Sequence, residues 1–164
     1  MRIKLEKASI KQAEEIHRLQ VESFLPLLQK YKDSETNPGN EKLERILHRF
    51  KQPFTTYYFI TLNEIRIGAI RIVYSAQAKR ARISPIFVTP EHQGKGYGQE
   101  AMSLVEKIVD AETWELDTIM QENGNCYLYE KMGYKKTGVT KRINDIMTIV
   151  SYEKKTPQIE IQAG

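Results

Sequence analysis

Cysteine is almost absent from this chain. Cys126 stands alone in 164 residues, which excludes a disulfide framework and a cysteine-built metal site and makes a reducing compartment the expectation. Histidine is no richer: three are scattered along the chain, without the H-x-x-x-H or H-E-x-x-H spacing that a zinc site on a helix needs, so no metal is expected. No apolar run is long enough to span a bilayer, and Met1 to Glu6 has no apolar stretch for export, so a cytoplasmic protein without a membrane partner is expected. An excess of one charge is also lacking. The 25 Lys and Arg stand against 21 Asp and Glu, interleaved except for short clusters such as Lys79-Arg80-Ala81-Arg82 and Lys135-Lys136. A nucleic-acid protein would show a continuous basic face with aromatics set in it, so that partner is excluded. No linker, repeat or low-complexity tract divides the chain. The expectation is one domain over 1–154, with 155–164 as a tail and a candidate for disorder; a homodimer is left open.

Glycine is sparse too, with nine in the chain, but three of them fall together in Gln93-Gly94-Lys95-Gly96-Tyr97-Gly98. This loop lies between the strand-like Ile86-Phe87-Val88 and an amphipathic helix. Glycines let the backbone approach a ligand closely, and a helix start aims unpaired N–H groups and a positive dipole end at it. The pattern reads as an anion cradle, suited to a pyrophosphate, with Lys95 as a nearby cation. It is neither a dinucleotide fingerprint, because the third glycine comes one residue early, nor a P-loop, whose G-x-x-x-x-G-K-[ST] occurs nowhere.

The run Val88-Thr89-Pro90-Glu91-His92-Gln93-Gly94-Lys95-Gly96-Tyr97-Gly98, followed by Asn125 and Leu128-Tyr129-Glu130-Lys131-Met132-Gly133-Tyr134, resembles the GCN5-related N-acetyltransferase (GNAT) superfamily. Gln93 to Gly98 matches that family's [Q/R]-x-x-G-x-[G/A] cofactor motif at every defined position. The later run matches its N-x-x-[AFLY]-Y-E-K-x-G-[FY] helix. The resemblance spans nearly the whole chain and is weakest from Tyr31 to Gln52 and over the last ten residues. It implies an acetyl-CoA-dependent N-acetyltransferase with coenzyme A phosphates on the loop from Gln93 through Gln99.

Periodicity supplies the frame. Arg2 to Lys7 alternates as a strand, and Ser9 with Gln12 forms a capping box before a helix on Ala13, Ile16 and Leu19. Pro26 is expected to kink or end that helix. After a polar loop from Asp33 to Asn40 comes a short helix on Leu43, Ile46, Leu47 and Phe50. Thr55–Leu62, Asn63-Glu64 and Ile65–Tyr74 read as a hairpin, with Arg80–Val88 as its antiparallel neighbour. Gly98–Asp110 is helical, Thr113–Met120 a strand, Asn125–Met132 a helix stopped at Gly133, and Asp145–Tyr152 a strand. These elements read as an α+β domain, and the resemblance implies a GNAT-like fold: a mixed, mostly antiparallel, splayed sheet with helices on both faces.

Two details bear on mechanism. Pro85 cannot donate a ladder hydrogen bond, so its strand is expected to be irregular or to lose a partner on one side. In the resembled family the pantetheine arm enters the resulting gap, which implies main-chain contacts from Ile86, Phe87 and Val88. Asn125 and Tyr129, four residues apart, share one helical face with Leu128 and Met132. The resemblance implies that Asn125 bonds the pantetheine arm, that Tyr129 protonates the leaving thiolate, and that the Val88 N–H steadies the oxyanion. Cys126, on another face, reads as a packed residue, and Tyr127 and Tyr134 as core or rim.

An amine attacks a thioester only when unprotonated, so its proton must be removed. The stretch Ile83 to Val88 has no carboxylate, where some relatives carry one. Asp117, Glu22 and Glu122 are the candidate bases, Asp117 foremost, with a water chain as the expectation. The competing reading is a non-catalytic acyl-CoA-binding or sensor domain; retention of Tyr129 argues for an enzyme.

Overall fold

Alternating apolar residues set the sheet, and the turns between them set its order. The computed structural model describes residues 2–157. Strands β1 (Ile3–Lys7), β2 (Thr55–Leu62), β3 (Ile65–Ser75), β4 (Arg80–Val88), β5 (Thr113–Ile119), β6 (Lys135–Asn144) and β7 (Met147–Lys155) form one sheet in the order β1-β2-β3-β4-β5-β7-β6. All pairings are antiparallel except β4 with β5. The β2–β3 hairpin turns at Asn63 and Glu64, both at positive φ, the backbone twist that a two-residue connection requires. This is the expected mixed, mostly antiparallel sheet.

Helices α1 (Ala13–Tyr31) and α2 (Leu43–Phe50) cover one face, where Ile16, Leu19, Ile46, Tyr57, Phe59 and Phe87 pack together. Helices α3 (Tyr97–Ile108) and α4 (Asn123–Lys131) lie on the other, where Val105 of α3 packs with Ile70, Trp114, Leu116 and Tyr152. Burying each such aliphatic or aromatic side chain stabilises the fold by roughly 1.5–3 kcal/mol.

Two expectations need correction, and one strand was not foreseen. Pro26 does not end the first helix: α1 runs on to Tyr31 and stops at Lys32, whose φ is 55°. The proline ring removes one donor and crowds the carbonyl one turn earlier, and packing of the helix on the sheet carries it past that cost. Strand β6 has no counterpart in the sequence pattern, because its first eight residues are exposed and carry no alternating apolar face. Strand β7 begins at Met147 and reaches Lys155, three residues past Tyr152, so the expected tail boundary falls inside a strand. Residues 158–164 of that tail lie outside the described residues.

The feature that positions the site is a parting of the sheet. Strand β4 pairs with β5 only at Arg80, Ala81 and Arg82, then separates from it. Its ladder to β3 is interrupted at Arg71, opposite Ser84 and Pro85. Proline there has no N–H to offer either neighbour. On the β3 side the register resumes at Ile86, held close by Gly68: a Cβ at that position would lie 2.0 Å from the Phe87 carbonyl oxygen.

Candidate active site

Thr89 N–H donates to the Ile67 carbonyl at 2.8 Å. In an antiparallel ladder alternate residues point their backbone groups to opposite sides, so Phe87 pairs with Ala69 while Ile86 and Val88 turn theirs into the gap. The family resemblance implies Ile86, Phe87 and Val88 alike. The structure separates them: Phe87 faces β3 with its backbone and packs its ring edge-on against Phe24, at 5.8 Å between centroids. The Val88 carbonyl is taken by Gln93 Nε2 at 2.8 Å, which leaves the Val88 N–H as a donor facing the gap.

Beyond Val88 the chain makes the glycine turn. Gly94 and Gly96 have φ of 74° and 85°, a region that glycine enters freely and other residues seldom do. Gln93 shapes this turn, since its N–H goes to the Pro90 carbonyl and its side chain to Val88. From Gly94 to Gln99 no backbone N–H has an acceptor among the described residues; the first amide satisfied within the helix is that of Glu100, on the Gly96 carbonyl at 3.0 Å. Successive amides without acceptors at a helix start are the arrangement an anion could occupy. A Cβ at Gly94 would meet nothing within 4 Å, so the turn is open to a ligand.

The clamp on this turn was not visible in the sequence. Arg2 donates to the Lys95 carbonyl at 2.7 Å and to Glu100, and its guanidinium lies 4.5 Å over the Tyr97 ring. Partners almost a hundred residues apart leave no local pattern. Thr89 and His92, bonded at 2.9 Å, brace the turn from the other side.

The gap opens into a cleft of about 1240 Å³, lined by Phe24, Ile86, Gly96, Asn125, Tyr129 and Lys141 among others. Asn125 and Tyr129 face it one turn apart on α4, as their spacing implied. The Tyr129 hydroxyl has no partner among the described residues. Its ring is wedged between those of Tyr134 and Tyr152, with both centroids at 6.2 Å. Burial pushes the Tyr129 phenol up to about 12, with a smaller contribution from Cys126, so it stays protonated at any working pH. Tyr134 is core and Tyr127 exposed rim. Cys126 is buried, its Sγ near the Ile119 and Met120 carbonyls. The Ser23 hydroxyl also lines the cleft and is buried without a partner, the kind of orphan a ligand atom can satisfy.

The candidate bases stand differently. Asp117 lines the cleft, but its Oδ2 accepts from Arg82 at 2.6 Å and its Oδ1 from Ser151 at 2.7 Å. Glu122 binds Lys30 at 2.8 Å and the Tyr31 hydroxyl at 2.5 Å, and these bonds, Lys30 foremost, hold its carboxyl below the usual range. Glu22 lies 3.9 Å from Arg18. Among the described residues no three His, Cys, Asp or Glu side chains gather as a metal would need, and no helix is long and apolar enough to cross a membrane.

The sequence matches the acetyltransferase (GNAT) family over residues 13–134. Comparison with curated protein sequences gives no match. Among solved structures, the fold is similar to that of the ribosomal-protein-S18-alanine N-acetyltransferase from Escherichia coli, with a TM-score of 0.77 at 10% identity, covering 99% of both chains. It is also similar to an acetyltransferase from Thermus thermophilus, with a TM-score of 0.72 at 15% identity over 95% of this chain and 98% of that one. A third similar structure is the PaiA N-acetyltransferase from Thermoplasma acidophilum in complex with coenzyme A, with a TM-score of 0.69 at 19% identity over 95% of this chain and 100% of the other. At these identities the likeness is one of fold.

Proposed function

Because this chain belongs to the GNAT acetyltransferase family, we propose that it moves the acetyl group of acetyl-CoA to a primary amine on a small molecule, amino acid or peptide, by direct attack in a ternary complex. The observation that carries this reading is the parting of β4 from β5 beside a turn with six amides that have no acceptor among the described residues. The cradle from Gly94 to Gln99 fits a pyrophosphate, with Lys95 adding positive charge outside it. Ile86 and Val88 turn their backbone groups toward the gap, where an amide-bearing pantetheine arm finds partners, and Asn125 adds a side-chain amide.

The chain's own residues then divide the chemistry. Val88 N–H donates to the thioester carbonyl oxygen as negative charge gathers on it. The new C–N bond forms as the C–S bond breaks, and the Tyr129 hydroxyl donates to the departing sulfur. With a pKa of about 12 this phenol serves as a donor and never as the base. Both oxygens of Asp117 are already engaged, by Arg82 and Ser151, and the amine's proton leaves through water. Holding both substrates in one cleft supplies much of the remaining acceleration. The test is thiol release from acetyl-CoA across a panel of amines, amino acids and peptides, with product mass as confirmation. Amine-dependent release supports the reading. Tight coenzyme A binding with no transfer to any acceptor would overturn it in favour of a sensor.

A further inference from the structure

Resting on the acetyl-transfer reading above, we propose that the acceptor is an amine that carries its own carboxylate, either a free amino acid or the acidic amino end of a peptide, and that Lys141 is the group that holds that carboxylate.

The first support is the shape of the open half of the sheet. Along β5 and β7, Trp114, Leu116, Val150 and Tyr152 are buried on the side of α3 and α4. Alternation therefore turns Asp117, Ile119, Ile149 and Ser151 to the opposite side. Helices α1 and α2 pack on β2, β3 and β4 of that side, and the floor beyond them, across β5, β7 and β6, lies open in the cleft. Lys141 stands directly across from Ile149 in the β6–β7 ladder, and so belongs to this floor.

The second support is charge. Three carboxylates line the cleft, and each is committed. Asp33 accepts from the Glu35 and Thr36 N–H groups at 3.1 and 2.9 Å and from the Thr36 hydroxyl. Asp117 is held by Arg82 and Ser151, and Glu122 by Lys30 and Tyr31. Of the cations, Lys30 and Arg82 are therefore neutralised, whereas Lys141 has no carboxylate within ion-pair distance among the described residues. A polyamine's second ammonium would meet Asp117 and Glu122 already ion-paired and Asp33 with both oxygens engaged by neutral donors. A carboxylate-bearing amine meets one uncommitted cation.

The experiment measures kcat/KM for glutamate, for a peptide with a free amino end followed by acidic residues, and for spermidine, using the wild type, Lys141→Ala, Lys141→Arg and Lys141→Glu. Coenzyme A binding by calorimetry is followed in parallel and should not change. The carboxylate-bearing acceptors should exceed spermidine by at least about tenfold. Lys141→Ala should lower their kcat/KM roughly ten- to a hundredfold, the range for a charged hydrogen bond, chiefly through KM. Lys141→Arg should restore most of the loss, and Lys141→Glu should shift preference toward spermidine. The ratio of glutamate to peptide identifies the source of the carboxylate. Spermidine turned over as well as the carboxylate-bearing acceptors, or indifference to Lys141→Ala, overturns the inference while leaving acetyl transfer in place. If no acceptor is turned over, calorimetry of the coenzyme A complex with the same three compounds decides: failure to bind glutamate and the peptide overturns the inference, and failure to bind coenzyme A itself overturns the reading beneath it.

Discussion

Replacing Tyr129 with phenylalanine removes one oxygen that no other part of the described protein uses. The ring stays wedged at 6.2 Å from both Tyr134 and Tyr152, no donor or acceptor is orphaned, and stability should stay within about 0.5 kcal/mol of wild type. What is lost is a hydrogen bond to charge that builds only as sulfur departs. A donor of that kind contributes about 1.4–4 kcal/mol, so kcat should fall roughly ten- to a thousandfold while coenzyme A affinity holds within about twofold. The assay is steady-state thiol release at saturating acetyl-CoA, with calorimetry for coenzyme A and a thermal melt as the fold control. The phenol's value of about 12 adds a second signature: ionisation of Tyr129 should produce no falling limb below about pH 10. A variant that folds, binds and turns over like wild type would assign Tyr129 to packing and refute the donor role.

Gly68→Ala should destabilise the fold by about 2–3 kcal/mol and weaken coenzyme A binding, because its Cβ would press on the Phe87 carbonyl, which is backbone and cannot swing away; an unchanged urea midpoint would contradict this. Gly96→Val places a branched residue at a φ of 85°, so a loss of about 1–3 kcal/mol should accompany abolished coenzyme A binding; retained affinity by calorimetry would sink the cradle. Asp117→Asn should keep a substantial part of the activity, with rates still rising with pH toward the acceptor's own pKa, whereas complete loss together with an acidic limb near pH 6–7 would make Asp117 the base. Burial raises the phenols of Tyr129, Tyr134 and Tyr152. The unfolded chain therefore ionises first, and stability fully present below about pH 10 should fall above it, by up to about 1.4 kcal/mol per pH unit for each phenol. Flat urea midpoints from pH 8 to 11 would contradict that.

What the sequence made legible was what rests on local pattern. The hairpin over Asn63-Glu64, the strand Arg80–Val88 and the glycine turn carry their own spacing, and each stands where that spacing puts it. Strand β6 was illegible because Lys135 to Arg142 are exposed; without a buried face there is no period of two to read. The continuation of α1 past Pro26 depends on its packing against the sheet, a tertiary contribution that outweighs a local breaker. The clamp of Arg2 on Lys95 and Glu100, and the capture of Asp117 by Arg82 and Ser151, join residues distant in the chain. Alternation could have paired Asp117 with Ser151 only once β7 was known to lie beside β5. The backbone direction of Phe87 likewise needs the register to β3, which no single-strand pattern contains.

A crystal structure of the protein with coenzyme A tests the central claim most directly. The pantetheine arm should lie between β4 and β5 against the backbone of Ile86 and Val88, the pyrophosphate on the amides of Gly94 to Gln99, and the sulfur within hydrogen-bonding reach of the Tyr129 hydroxyl. Coenzyme A held elsewhere, or in this cleft with its sulfur turned away from Tyr129 and the Val88 N–H, would contradict it.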